Sequence, residues 1–193
     1  MFFLATLWQL LYTYIMTSSK EVIRLSERQL VLKAKSGDKN AFCELYAIYK
    51  DKLYRYAFYR LTNENDAKDA VSDCIISAFE QISSLKKTEA FSSWIFRILH
   101  CSCNKYINNQ IKCRQSLNFK DISNTYHDNA KMENKTEVMQ ALEYLNDDEK
   151  NIVILSVFGG LKSREIAETM NMTAGSVRSK LSRSLTKMRT FLE

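Results

Sequence analysis

The sequence predicts an all-α protein made of two small helical domains joined by a flexible linker. Three observations predict it. Four glycines and no proline in 193 residues are very few for a fold built on tight hairpin turns. Hydrophobic residues make up 46% of the chain, ample for packed cores and against wholesale disorder. Apolar residues recur at helical spacing along most of the chain, and that periodicity fades between about Gln110 and Lys135, where Asn, Lys, Asp and Ser dominate.

The elements follow from local signals. Ser26 with Gln29 three residues later is a capping-box signature and opens a helix to about Lys35. Gly37-Asp38 breaks it, and Asp38 caps a long helix carrying Phe42, Leu45, Tyr46, Tyr49, Leu53, Tyr56 and Leu61. Asn63 caps a third helix with the apolar stripe Ala67, Ala70, Val71, Cys74, Ile75, Ala78, Phe79 and Ile82. A polar, basic loop from Ser83 to Lys87 leads to a fourth helix, which buries Phe91, Trp94, Ile95 and Ile98 and runs to about Asn109. The second block begins near Thr136. It holds a helix to Tyr144, another from Asp147 to Phe158 ended by Gly159-Gly160, and a terminal two-helix unit.

In that terminal unit Ser163 caps a short helix with Glu165 in its first turn and Ile166, Ala167 and Met170 as its apolar stripe. Asn171-Met172-Thr173 forms a corner, and Thr173 caps a last helix running toward Phe191. Val177, Leu181, Leu185 and Met188 make its buried face. Ser179, Arg183, Thr186 and Lys187 lie roughly opposite, flanked by Arg178 and Lys180. From Lys162 to Arg189 there are seven basic residues against two acidic ones, so the chain's +6 charge is concentrated here. A helix docked by one face and basic on the other suits a DNA major groove, where Arg and Lys donate to guanine edges or phosphates. The same pattern also fits an amphipathic terminal helix with a solvated basic face.

Other features exclude classes of function. Five cysteines, Cys43, Cys74, Cys101, Cys103 and Cys113, are an odd number and read as reduced thiols of a cytoplasmic protein. His100-Cys101-Ser102-Cys103 matches no common zinc spacing, and neither a metal nor any other cofactor is expected. No glycine-rich phosphate loop, HExxH or paired-carboxylate signature exists, and His100 and His127 share no motif with a nucleophile, so no enzyme is expected. Residues 1–16 are almost wholly apolar. They lack the positive start of a signal peptide and are too short for a membrane span. They are read as lying upstream of a true start at Met16, with a membrane-associating extension as the alternative.

Four segments together resemble the extracytoplasmic-function sigma factors of the sigma-70 family, in their minimal two-domain form. Gly37-Asp38 with Ala41-Phe42 and Leu45-Tyr46 resembles the family's opening run. Asp66-Ala67 with Asp69, Val71 and Asp73 resembles its core-binding helix. Phe91, Trp94-Ile95 and Arg97-Ile98 resemble its promoter-melting helix. Glu165-Ile166-Ala167 and Gly175 to Arg183 resemble its −35 reader. The Asn, Asp and Arg that members carry just after the Trp helix are absent, where this chain has Cys101, Lys105 and Asn108-Asn109.

The resemblance implies a factor that binds core RNA polymerase and directs promoter-specific initiation, with catalysis left to the polymerase. It divides the chain into an extension (1–25), region 2 (26–110), a linker (111–135) and region 4 (136–193). The −35 element would be read by Ser163, Arg164, Thr173, Arg178, Ser179, Lys180, Arg183 and Lys187. Lys86, Lys87, Arg97 and Lys105 would serve the −10 element, although the two loop lysines also suit plain solvated charges and Trp94 reads as core. Asp66, Asp69 and Asp73, at i, i+3 and i+7, form one acidic stripe, which the resemblance assigns to the basic clamp coiled coil of the polymerase large subunit, although the helix dipole alone also favours such early-turn aspartates, Asp66 above all. The partners implied are core polymerase, promoter DNA and an anti-sigma factor, often an inner-membrane protein. The alternatives are a stand-alone helix-turn-helix regulator on palindromic half-sites and a helical, membrane-tethered adaptor.

Overall fold

The computed structural model describes residues 26–118 and 137–192, so the readings on residues 1–25 and on most of the linker lie outside the described residues. Among the described residues there are helices and no strand. Helix α1 (Glu27–Lys35) opens with the capping box: Ser26 N–H donates to Gln29 Oε1 at 2.8 Å, and Ser26 Oγ accepts from Gln29 N–H. Gly37, at φ 95°, makes the left-handed turn that a Cβ would strain. Asp38 Oδ1 then accepts from the N–H groups of Asn40 and Ala41, starting α2 (Lys39–Leu61). Asn63 does the same for α3 (Glu64–Gln81). Two 3-10 turns, Ile82–Ser84 and Thr88–Ala90, lead into α4 (Phe91–Asn118). Beyond the linker come α5 (Glu137–Glu143), α6 (Asp147–Val157), α7 (Ser163–Met170) and α8 (Ala174–Leu192).

Three local expectations change. Helix α4 continues to Asn118 through the start of the expected linker. Residues 110–118 hold Gln, Ile, Lys and Arg with neither Gly nor Pro, so propensity sustains the helix even where apolar periodicity has lapsed. Tyr46 and Phe79, read as buried-face residues, are exposed, though Phe79 keeps an edge-to-face contact with Phe42 at 5.2 Å. On α4 the fully buried residues are Phe91, Ile95, Phe96 and Leu99, whereas Trp94 and Ile98 are half-buried.

The largest difference is at the level of architecture. Two helical halves are present, and they share one core. A single apolar cluster runs from Leu30 through Tyr56 and Phe96 to Ile154, Ile166 and Val177. Tyr59 of α2 stacks on Phe158 with centroids 4.0 Å apart. Gly159 explains part of this closeness: a Cβ there would lie 2.6 Å from the Leu155 carbonyl and 3.2 Å from the Phe96 ring. Each large side chain buried at this seam contributes roughly 1.5–3 kcal/mol of apolar burial.

Candidate functional site

The basic unit is built on α7 and α8. Lys162, not Ser163, is the N-cap residue, and its N–H is held by the Glu165 carboxylate at 2.7 Å; Ser163 is the first helical residue. Asn171 ends α7 in the left-handed conformation at φ 54°. Thr173 Oγ1 accepts from Ser176 N–H at 3.1 Å and opens α8, so the corner residues carry both caps.

Helix α8 buries Val177 and Ser184 fully and Leu181 and Met188 partly, while Leu185 is 44% exposed. The expected face was wrong at Leu185 for a geometric reason. At 3.6 residues per turn, seven residues nearly close two turns, but eight overshoot by about 80°. Ser184 fits because its hydroxyl donates to the Lys180 carbonyl at 2.8 Å. Arg164, Thr173, Arg178, Ser179 and Arg183 are exposed, and Ser163 is half-buried. Arg183 Nε donates to the Ser179 backbone carbonyl at 3.3 Å, and the i, i+4 spacing puts the two side chains on one face.

Lys180 and Lys187 are placed differently. Lys180 Nζ pairs with Asp148 at 2.6 Å and Lys187 Nζ with Glu149 at 2.8 Å, both in the acidic first turn of α6. Seven residues apart, the two lysines share one side of α8, so Lys187 does not lie opposite the buried face. The bond from Lys187 holds the Glu149 carboxyl below the usual range, against the opposing effect of its burial. These pairs seat α8 on α6.

The acidic stripe of α3 is not bare. Gln110 Nε2 donates to Asp66 at 2.7 Å and the Tyr106 hydroxyl to Asp73 at 3.1 Å, while Asp69 is exposed. Burial, then the bond to Asp73 and the field of all three aspartates, pushes Tyr106 up to about 12. The stretch of α4 from Tyr106 to Gln110 therefore lies along the stripe.

Lys86 and Lys87 are exposed on a loop anchored by buried Leu85. Trp94 contacts the Phe91 ring at 5.8 Å, consistent with a core role for one of its faces. Lys105 is exposed. Arg97 is exposed as well, but its Nη2 donates to the Glu168 carbonyl at the end of α7. Beside it Ser93 Oγ donates to Glu168 Oε2 at 3.1 Å, and Thr169 Oγ1 donates to the Ser93 carbonyl at 3.3 Å. The helix read as the melting element is thus in direct contact with the basic unit, a pairing no local sequence signal announces.

His100 is engaged in hydrogen bonds on both ring nitrogens, to Tyr56 at 2.8 Å and Asn104 at 3.0 Å. Burial, then the Arg60 charge, depresses its pKa. Cys103 is buried, which pushes its thiol up to about 12.

Comparison with known proteins decides between the classes left open. The family model "Sigma-70 region 2" matches residues 45–111, and "Sigma-70, region 4" matches residues 135–188. The RNA polymerase sigma factor SigV of Bacillus subtilis is 30% identical over 162 residues, covering 82% of this chain and 95% of that protein. The chain belongs to the sigma-70 family. It is an extracytoplasmic-function sigma factor: the ECF RNA polymerase sigma-E factor of Haemophilus influenzae is 27% identical over 175 residues, covering 83% and 92% of the two chains. Among solved structures, CnrH in complex with the cytosolic domain of CnrY shares the fold at TM-score 0.67 and 21% identity, over 86% of this chain and 96% of that one. RpoE with the anti-sigma factor NepR from Bartonella quintana does so at TM-score 0.62 and 18% identity, over 78% and 96%. The sigma factor's acidic stripe, Trp helix and basic two-helix unit fall inside the two matched regions.

Proposed function

We propose that this sigma factor binds core RNA polymerase through Asp66, Asp69 and Asp73, reads the −35 element with α8 and contacts the opened −10 element through the loop and α4. The observation that carries this reading is the coexistence of an acidic stripe on α3 and an exposed Arg178–Ser179–Arg183 face on α8 in one chain. A stand-alone regulator would use the reader and leave the stripe without a role. We assign base or phosphate contact to Arg164, Arg178, Ser179 and Arg183, with Thr173 and Ser163 at the corner and helix start. Lys180 and Lys187 add positive field beside the reader while seating it. Lys86, Lys87, Lys105 and, once released from Glu168, Arg97 supply the phosphate contacts of the −10 strand. The functional division is 26–110, 111–135 and 136–193. The role is non-catalytic and cytoplasmic. By analogy with RpoE, solved with the anti-sigma factor NepR, an anti-sigma protein is the expected regulator.

Run-off transcription with purified core enzyme on genomic promoter fragments tests the reading. The proposal predicts discrete promoter-dependent transcripts that appear only when this chain is added. Equal transcription by core alone would contradict it.

A further inference from the structure

Two of the cations on α8 are already answered from inside their own half, by carboxylates that offer lysine the same oxygen acceptors a phosphate would. Lys180 Nζ donates to Asp148 Oδ2 at 2.6 Å, and Lys187 Nζ to both oxygens of Glu149 at 2.8 and 2.9 Å. The lysines are seven residues apart, about 10 Å along the axis of α8, and nearly two full turns. Both therefore leave the same side of the helix, between its buried Val177–Ser184 face and exposed Arg183. Their partners are consecutive residues in the first turn of α6.

The two pairs are unequal. Glu149 is buried, and its Oε2 also accepts the Asn146 N–H at 3.2 Å, so the Lys187 pair belongs to the start and packing of α6. Asp148 is different. Its side chain is 56% exposed, and the cap of α6 is made by Asn146 and Glu149 without it. What Asp148 does is hold Lys180, beside the face that carries Arg183. The positive field of that lysine is thereby cut back at its source. Affinity for DNA of any sequence rises with the number of phosphates that free cations neutralise, and so does its dependence on salt. An ammonium that keeps its own carboxylate neutralises none.

We propose that Asp148 restrains the sequence-independent affinity of the reader: by holding Lys180 it keeps that lysine off the phosphate backbone and leaves recognition to Arg178, Ser179 and Arg183. A lysine on a phosphate strengthens binding to every sequence alike, so what Asp148 withholds is binding to duplex DNA at large. The inference rests on the reading of α8 as the −35 reader.

The test is a salt titration of the full chain on a short labelled duplex of mixed sequence, read by fluorescence anisotropy. Asp148→Asn should raise affinity severalfold. It should also steepen the fall of log affinity with log salt by about 0.9, one phosphate contact. Asp148→Glu, which keeps the charge, should keep the parent slope. Lys180→Ala alone should leave the slope as it is in the parent, and Lys180→Ala added to Asp148→Asn should bring the steeper slope back to it. Three results would each overturn the restraint. They are an Asp148→Asn slope equal to the parent's, a Lys180→Ala slope flatter than the parent's, and a double variant that stays steep. The second would mean that Lys180 already sits on phosphate, the third that the gain is only a lost negative charge. A duplex bound by neither parent nor Asp148→Asn would overturn it too. Arg178→Ala with Arg183→Ala separates the two failures. If that pair binds the same duplex like the parent, the reader itself is wrong; if it binds weakly while the Asp148 series fails, only the restraint is.

Discussion

At the scale of single residues, exposure and pairing separate readers from supports on α8. Arg178 and Arg183 project from an exposed face and neither is part of the Val177–Ser184 face that packs inward. Arg178→Ala and Arg183→Ala should each weaken binding to a −35 duplex by about 1–3 kcal/mol if the contact is bidentate, with an unchanged melting temperature. Lys187→Ala should behave oppositely, lowering stability because it strips Glu149 of its partner, with a smaller and more salt-dependent effect on DNA. Fluorescence anisotropy and thermal melting of the three variants check both halves of this statement. If Lys187→Ala harmed DNA binding most and left stability alone, the assignment would be reversed.

At the scale of elements, the stripe on α3 and the seam at Gly159 make distinct demands. Replacing Asp69 and Asp73 together with Lys should abolish assembly with core polymerase, since like charges would then face a basic partner. The isolated protein should stay helical, losing only the Tyr106–Asp73 bond. Competition with parent protein for core enzyme measures this. Gly159→Ala puts a methyl 2.6 Å from the Leu155 carbonyl and 3.2 Å from Phe96, so either the end of α6 or the seam must give. A cost of about 1–3 kcal/mol in chemical denaturation is expected.

Elements also show how much was legible in the sequence. The starts of α1, α2 and α3 were readable because Ser26, Asp38 and Asn63 act on N–H groups two or three residues away. The reader's corner was readable at Thr173 for the same reason. Leu185 was misplaced because a period of four drifts around a helix, and Ser184 was missed because a hydroxyl does not look like core. The Lys180 and Lys187 pairs, and the placing of Tyr106 beside Asp73, depend on packing between elements 32 to 38 residues apart. Nothing local encodes those. The Tyr56–Asn151 bond spans 95 residues and was invisible for that reason.

At the scale of the whole molecule, the joined halves make stability sensitive to acid. The groups acting on His100 are Tyr56 and Arg60 on α2, Asp147 on α6, and Asn104 on its own helix. Burial and Arg60 lower its pKa from 6.5, so the unfolded chain takes up this proton first and the folded chain loses stability as pH falls below 6.5. Protonation would also put a donor on Nε2 opposite the Asn104 amide. Melting temperature should therefore drop between pH 7 and 5, and His100→Gln should flatten that dependence. A parent whose stability rises in this window would contradict the depressed pKa of His100.

One chain is expected both to locate and to open a promoter on behalf of polymerase. Permanganate footprinting of a promoter fragment with core enzyme, with and without this protein, reads that most directly. Reactive, unpaired thymines should appear around −10 only when core and this chain are both present, and that reactivity should be lost in the Asp69→Lys, Asp73→Lys double variant. A promoter that is bound near −35 by the chain alone and never becomes reactive at −10 with core would contradict it.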